Sequence, residues 1–188
     1  MIADLILLGT PRSVGRFTGV RAIHEARSAL EAMRALAAQP SPPDAVVFAD
    51  GDKSLEAADV ARVLAPLEAG AADLVIGSRV LGPRARELGL WRRLGHGVAL
   101  NLIRLLYRQR YTDVGPLRAI RFPALVALGM REPGGGWAVE MQVRAARTGL
   151  RVVEVPVSSG VGRAPTARNL ALVVYRTLRT IVRYATAR

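Results

Sequence analysis

Two carboxylates one residue apart, Asp50 and Asp52, close the apolar run "VVFADGD". Gly51 between them lets the chain turn tightly and bring its backbone close to a ligand. Two carboxylates at the end of a buried strand can hold a hard divalent cation, Mg2+ or Mn2+, which in turn bridges phosphate oxygens. Acidic residues also occur in turns for local reasons, so the pair alone leaves both readings open. A second such stretch is "YTDVGPLRAIR", residues 111–121. Asp113 can serve there as a general base, or simply close its loop by pairing with an arginine. Arg118 and Arg121 can hold a phosphate through paired hydrogen bonds. In a third stretch, "GGGWAVEMQVRAARTG", Trp137 and Glu140 lie three apart and share a helix face. Trp137 reads as a core anchor. Glu140 suits either a site carboxylate or a charge favoured near a helix N-terminus.

The elements that must position these residues follow from apolar period and turn chemistry. "ADLILLG" (3–9), "AVVFA" (45–49) and "ADLVIGS" (72–78) read as short buried strands. Residues 20–38 are rich in strong helix formers with apolar spacings of 3 and 4, which predicts one helix ended by "QPSPPD". Ser54 is placed to cap the next helix, and Pro66 to kink it or end its regular part. "RVLGPRARELG" is a loop or lid-like segment. A basic amphipathic helix over 90–108 follows, then the polar stretch into a short strand or turn. Helices at "FPALVAL" and "AVEMQVRAARTG", a strand at "LRVVEVPVSS", the loop "GVGRAPTAR" and a helix over 169–184 complete the chain. Strand and helix alternate at the front, which argues for a mostly parallel sheet covered by helices.

Composition narrows the class. The chain has 188 residues, enough for one domain with a sizeable core, and 51% of them are hydrophobic. It has no cysteine, which excludes disulfides and thiolate metal sites. His24 and His96 have no neighbouring ligand pattern, so they make no zinc site. His24 is expected on a helix surface. "MIADLILLG" has no basic leader and meets Asp4 at once, and no run of about 18 uncharged apolar residues predicts a spanning helix. The net charge is +12, and of the 27 basic residues only Lys53 is lysine. Aromatic residues make up 5% and none alternate with basic ones, which argues against nucleic acid.

In this order, "VVFADGDKS", "ADLVIGSRVLG", "RRLGHGVALNLIRLL", "YTDVGPLRAIR" and "GGGWAVEMQVRAARTGLRVVEVPV" resemble the family 2 glycosyltransferases of the dolichyl-phosphate mannose/glucose synthase type. The likeness covers about residues 44–188. It implies a three-layer nucleotide-diphosphosugar transferase-like (GT-A) α/β fold with a mostly parallel sheet. It also implies a divalent metal (Mg2+ or Mn2+), a nucleotide-sugar donor and a polyprenyl-phosphate acceptor. In register, Asp50 matches the second acidic residue of the family's metal motif and Gly51 its glycine. Phe48 stands at the first acidic position, and Asp52 where a polar residue is usual. Asp113, Arg118, Arg121, Trp137 and Glu140 match family positions. Arg79 lies in a matching stretch, and Arg163 in the basic acceptor-side loop, where Ala164-Pro165 replaces the usual Ser-Lys. The resemblance thus implies Asp113 and Glu140 as catalytic, Asp50 and Asp52 as metal-binding, and Arg79, Arg118, Arg121, Trp137 and Arg163 as substrate-binding.

The family's opening strands, which hold base and ribose, have no motif here, so the front is expected to lack at least one strand-helix unit. One domain is expected: residues 1–80 a reduced donor and metal half, 81–188 an acceptor-side half. In the last helix Arg168, Arg176, Arg179 and Arg183 share one arc, with Leu170, Val173, Val174, Leu178 and Ile181 mostly opposite. Such a face suits an anionic membrane surface. The expected place is therefore cytoplasmic, peripheral at the inner face of the cell membrane. A non-catalytic, truncated transferase-like domain, acting as a membrane-associated partner or subunit, is the second reading; a second copy of the chain or a partner subunit is an expected partner under either.

Overall fold

The structure, a computed structural model, describes residues 1–8, 19–50, 55–88, 90–132, 136–158, 175 and 178–184. In chain order the elements are β1 (Ala3–Leu8), β2 (Val20–Ala26), α1 (Ala29–Ala37), β3 (Ala45–Asp50), α2 (Ala57–Glu68), β4 (Leu74–Ser78), α3 (Leu90–Tyr107), β5 (Leu117–Arg121), α4 (Phe122–Leu128), α5 (Trp137–Thr148) and β6 (Val152–Pro156). A short 3-10 turn, Ala85–Glu87, precedes α3, and residues 178–184 are helical.

Six strands form one sheet in the order β2-β1-β3-β5-β4-β6. β1 runs parallel to β2 and β3, and β4 parallel to β6. β5 is inserted antiparallel between β3 and β4. The carboxyl ends of the five parallel strands therefore share one edge, and β5 begins there. This matches the mostly parallel α/β sheet expected from the sequence, and strands from both sides of residue 80 take part.

Alternation along each strand feeds two cores. Ile6, Val46, Phe48, Ile76 and Ile120 face α1, α3, α4 and α5. Leu5, Leu7, Val47, Val75 and Ala119 face α2, whose Val60, Val63, Leu64 and Leu67 lie on one stripe. Because both faces are covered, the central strands read as continuous apolar runs.

The single helix expected over 20–38 is corrected to a strand and a helix. Ser28 breaks the run, its hydroxyl accepting from the Glu31 N–H at 3.2 Å to start α1. Upstream, residues 20–26 pair with β1, and Asp4 anchors them: its buried carboxylate accepts two bonds from Arg21, at 3.0 and 2.9 Å. His24 is thus on the edge strand rather than a helix surface, with Nε2 3.0 Å from Asp4 Oδ2. The fold so has one more strand ahead of β3 than the sequence reading counted. α2 begins at Ala57 with Glu56, not Ser54, in the N-cap position. It carries Pro66 in its last turn and ends at Glu68.

Candidate active site

Asp50 is the last residue of β3 and lies half-buried at the carboxyl edge of the sheet. The apolar run before it, buried on both faces, forces the strand, and the first polar residue emerges where the strand leaves the core. Gly51, Asp52, Lys53 and Ser54 lie outside the described residues, as does Arg163. Two strands across, β4 ends at Ser78. Asp50 and Ser78 flank the start of β5, about 10 Å apart by two strand spacings.

The loop that fills this gap is built around Asp113. Its carboxylate is fully buried and accepts three bonds from Arg79: the backbone N–H at 3.0 Å, Nε at 2.7 Å and a terminal nitrogen at 2.8 Å. Arg79 is itself buried, so the pair satisfies both charges by direct, paired hydrogen bonds. Beside it the Ser78 and Thr112 hydroxyls share a hydrogen bond of 2.7 Å. Glu154 of β6 accepts from the Thr112 N–H at 2.8 Å and the Asp113 N–H at 3.2 Å. Burial pushes the Glu154 carboxyl above its ordinary range despite these donors. Gly115 makes the close packing possible, since a Cβ there would meet the Gly77 carbonyl oxygen at 2.1 Å.

Arg118 is buried, and its two terminal nitrogens are engaged by backbone while Nε is buried without a hydrogen-bond partner among the described residues. It donates to the carbonyls of Ala138 at 2.8 Å, Val114 at 2.9 Å and Gly115 at 2.7 Å, and stacks on Trp137 at 5.0 Å. Burial pulls its pKa down to about 10. Its guanidinium thus ties the Asp113 loop to the start of α5. Trp137 packs on Phe48 with centroids 5.1 Å apart, as a core anchor. Arg121 is not brought to Asp50. β5 is antiparallel, so Arg121 pairs with Ala45 at the opposite edge and donates to the carbonyls of Ala72 and Leu67.

Glu140 lies elsewhere, within α5 and fully buried. It accepts from the backbone N–H groups of Arg131 and Glu132 at 3.0 and 2.7 Å, Arg144 Nε at 2.8 Å and the Tyr184 hydroxyl at 2.5 Å. Burial alone would raise its pKa, but these donors hold it below the ordinary carboxylate range.

The edge therefore gathers Asp50, Arg79 and Asp113, with Arg118 behind them. Ser78, Thr112 and Glu154 join it without having been singled out in the sequence. Glu154 had a visible signal, a carboxylate inside the apolar strand "VVEVP". Among the described residues no group of three or more His, Cys, Asp or Glu side chains could hold a metal by itself. No described helix is long and apolar enough to cross a membrane.

No family model matches the chain. An uncharacterized glycosyltransferase of Mycobacterium tuberculosis is 40% identical over 124 residues, which cover 65% of this chain and 55% of that protein. The undecaprenyl-phosphate mannosyltransferase of Micrococcus luteus is 35% identical over 127 residues, 61% of this chain and 49% of that protein. The chain spans about half the length of the curated relatives it matches. Over its whole length it superposes on 80% of glucosyl-3-phosphoglycerate synthase of Mycobacterium tuberculosis, with a TM-score of 0.70 at 17% identity. That crystal structure contains Mn2+, UDP-glucose and phosphoglyceric acid. The fold is that of GT-A-like nucleotide-sugar transferases.

Proposed function

We propose that the chain transfers a sugar from a nucleotide-diphosphate sugar to the phosphate of a polyprenyl-phosphate acceptor. The observation that carries this reading is Asp50, on the carboxyl end of β3 in a sheet of the nucleotide-sugar transferase type. Relatives named as glycosyltransferases, one of them acting on undecaprenyl phosphate by name, support it.

The donor set fits a divalent cation that draws most of its oxygens from substrate and water. Mg2+ is commonly held by one or two carboxylates plus phosphates, and Asp50, with Asp52, supplies such a set. Mg2+ or Mn2+ there would offset the charge that develops on the leaving diphosphate. Transfer forms a bond from an acceptor phosphate oxygen to the anomeric carbon and breaks the bond from that carbon to the diphosphate. An ionised phosphate needs no base, so the protein's task is positioning. Asp113, both of whose oxygens are engaged by Arg79, serves it by fixing the loop beside Asp50. Glu140 serves it from a distance by setting the segment before α5. Arg163 would contact the acceptor.

A peripheral anionic membrane would bring such an acceptor. Arg179 and Arg183 are exposed on the terminal helix while Ile181 is buried, and Arg104 and Arg108 are exposed near the end of α3. Arg168 and Arg176 lie outside the described residues.

The test is transfer of label from UDP- and GDP-sugars, with Mn2+, to undecaprenyl phosphate or to 3-phosphoglycerate. Mn2+-dependent label in the organic phase is expected, with a rate lowered on the order of 100-fold in Asp50→Ala. Label in the phosphoglycerate product alone would replace the lipid acceptor. Mn2+-dependent binding of nucleoside diphosphate without any transfer would favour the non-catalytic reading. Loss of both would overturn the proposal.

A further inference from the structure

A cleft of 380 Å³ opens on the helical layer, away from Asp50. It is lined by Ala127 and Leu128 at the end of α4, by Arg131, by Arg144, Arg147 and Thr148 at the end of α5, and by Tyr184. α4 follows the end of β5, and α5 leads to the start of β6, so the cleft belongs to the amino edge of the parallel strands.

Its chemistry is one-sided. Three guanidinium groups line it and, among the described residues, no carboxylate does. The charges that stabilise them are local. Glu140 lies behind the wall and accepts from Arg144. The C-termini of α4 and α5 contribute about half a negative charge each.

Two of the three guanidinium groups are already oriented. Arg144 is held by Glu140, by the Leu128 carbonyl at 2.9 Å and by stacking on the Tyr184 ring at 4.4 Å. Arg147 donates to the Tyr184 carbonyl at 2.6 Å. Fixed arginines lose little entropy on binding, and their planar fork matches phosphoryl oxygens. Arg131 is exposed, and its backbone N–H, not its side chain, bonds Glu140. The volume suits a phosphorylated group of moderate size, and Ala127 and Leu128 give it an apolar floor.

We propose that this cleft is a second anion site, binding a phosphoryl group against Arg131, Arg144 and Arg147. Because Tyr184 forms one wall, occupancy clamps the terminal helix onto α5. The site is independent of the transferase reading.

The test is calorimetric titration of pyrophosphate in the absence of divalent metal, and sedimentation with vesicles of phosphatidylglycerol or phosphatidylcholine. Proteins compared are the unaltered chain, Asp50→Ala, Arg131→Gln and the double variant Arg131→Gln/Arg147→Gln. Arg131→Gln touches an exposed side chain and leaves the fold intact. It is expected to weaken binding about fivefold, and the double variant more than tenfold, while Asp50→Ala binds as before. Sensitivity of pyrophosphate binding alone identifies a free phosphorylated ligand. Sensitivity of phosphatidylglycerol binding alone identifies a lipid headgroup. Binding of neither, or equal binding by Arg131→Gln and the unaltered chain, overturns the proposal.

Discussion

Asp113 and Glu140 are both buried carboxylates that accept several hydrogen bonds, yet they organise different parts of the molecule. Asp113 sits at the sheet edge, and one arginine, Arg79 from the end of β4, donates three bonds to its carboxylate. Glu140 sits in the helical layer and draws on Arg131, Glu132, Arg144 and Tyr184. The first is a lock on the loop beside Asp50, with three bonds from one arginine. The second is a hub that joins three segments. Loss of one arginine removes three bonds from the lock at once, whereas a hub loses one bond at a time. The two centres should therefore differ in how steeply they respond to substitution and in how they respond to pH.

The largest effect is expected at the lock. Asp113→Ala leaves Arg79 buried without its carboxylate, and breaking a buried pair from one side costs about 3–5 kcal/mol. Urea unfolding, compared through midpoints at constant slope, measures it. A loss below about 1 kcal/mol would place the pair with solvated surface bridges and remove the contrast with Glu140.

How far these centres were legible in the sequence follows from how local their causes are. Asp50 was legible because an apolar run ending in a carboxylate is a local signal. So were α4 and α5, whose apolar spacing lies within each helix. Residues 20–26 were misread because "VRAIHEA" fits helical spacing about as well as alternation. Its partner is Asp4, 17 and 20 residues away from Arg21 and His24. Arg118 read as a phosphate ligand because nothing local shows that its acceptors include Ala138, 20 residues on. Asp113 could be seen to want an arginine, but the choice of Arg79 depends on β5 being inserted antiparallel beside β4. Glu140 gave no hint of Tyr184, 44 residues later.

An intermediate effect is expected at the hub. Glu140→Gln keeps one acceptor oxygen but points an amide at donors, and lost bonds to a charged group cost about 1.5–3 kcal/mol. The pH dependence separates it from the site. The folded Glu140 carboxyl lies below its ordinary value, near 4.3 when unfolded, so its stabilisation is complete above that pH. It is lost as pH falls through the lower folded value. The gap between the unaltered protein and Glu140→Gln should thus hold from pH 7 to about 5 and close under acid conditions. Glu154, beside Asp113, runs the other way. Its folded value is raised, so its contribution is present at low pH and is lost as pH rises through that value. Unfolding free energies measured across pH for Glu140→Gln and Glu154→Gln should therefore diverge from the unaltered protein in opposite pH ranges. Parallel curves would mean that neither carboxyl is shifted by its surroundings.

The smallest effect is expected where the hub loses a single arm. Tyr184→Phe removes the hydroxyl that donates to Glu140 at 2.5 Å and keeps the ring on which Arg144 stacks. Burial raises the phenol pKa, so the hydroxyl remains a donor at neutral pH. Glu140 retains its backbone donors and Arg144, and no charge is left unpaired. The cost should be about 1.5 kcal/mol, that of one hydrogen bond to a charged acceptor. The Arg147 bond to the Tyr184 carbonyl survives, because it uses backbone. The loss should therefore show first as local opening. Amide exchange of residues 178–184 should quicken while β3 and β4 keep their protection. A double-mutant cycle with Glu140→Gln assigns the energy: a coupling near the whole single-variant cost places it in the Tyr184–Glu140 bond. Zero coupling would mean that the hydroxyl contributes by a route other than Glu140. Glu140 would then join two segments instead of three.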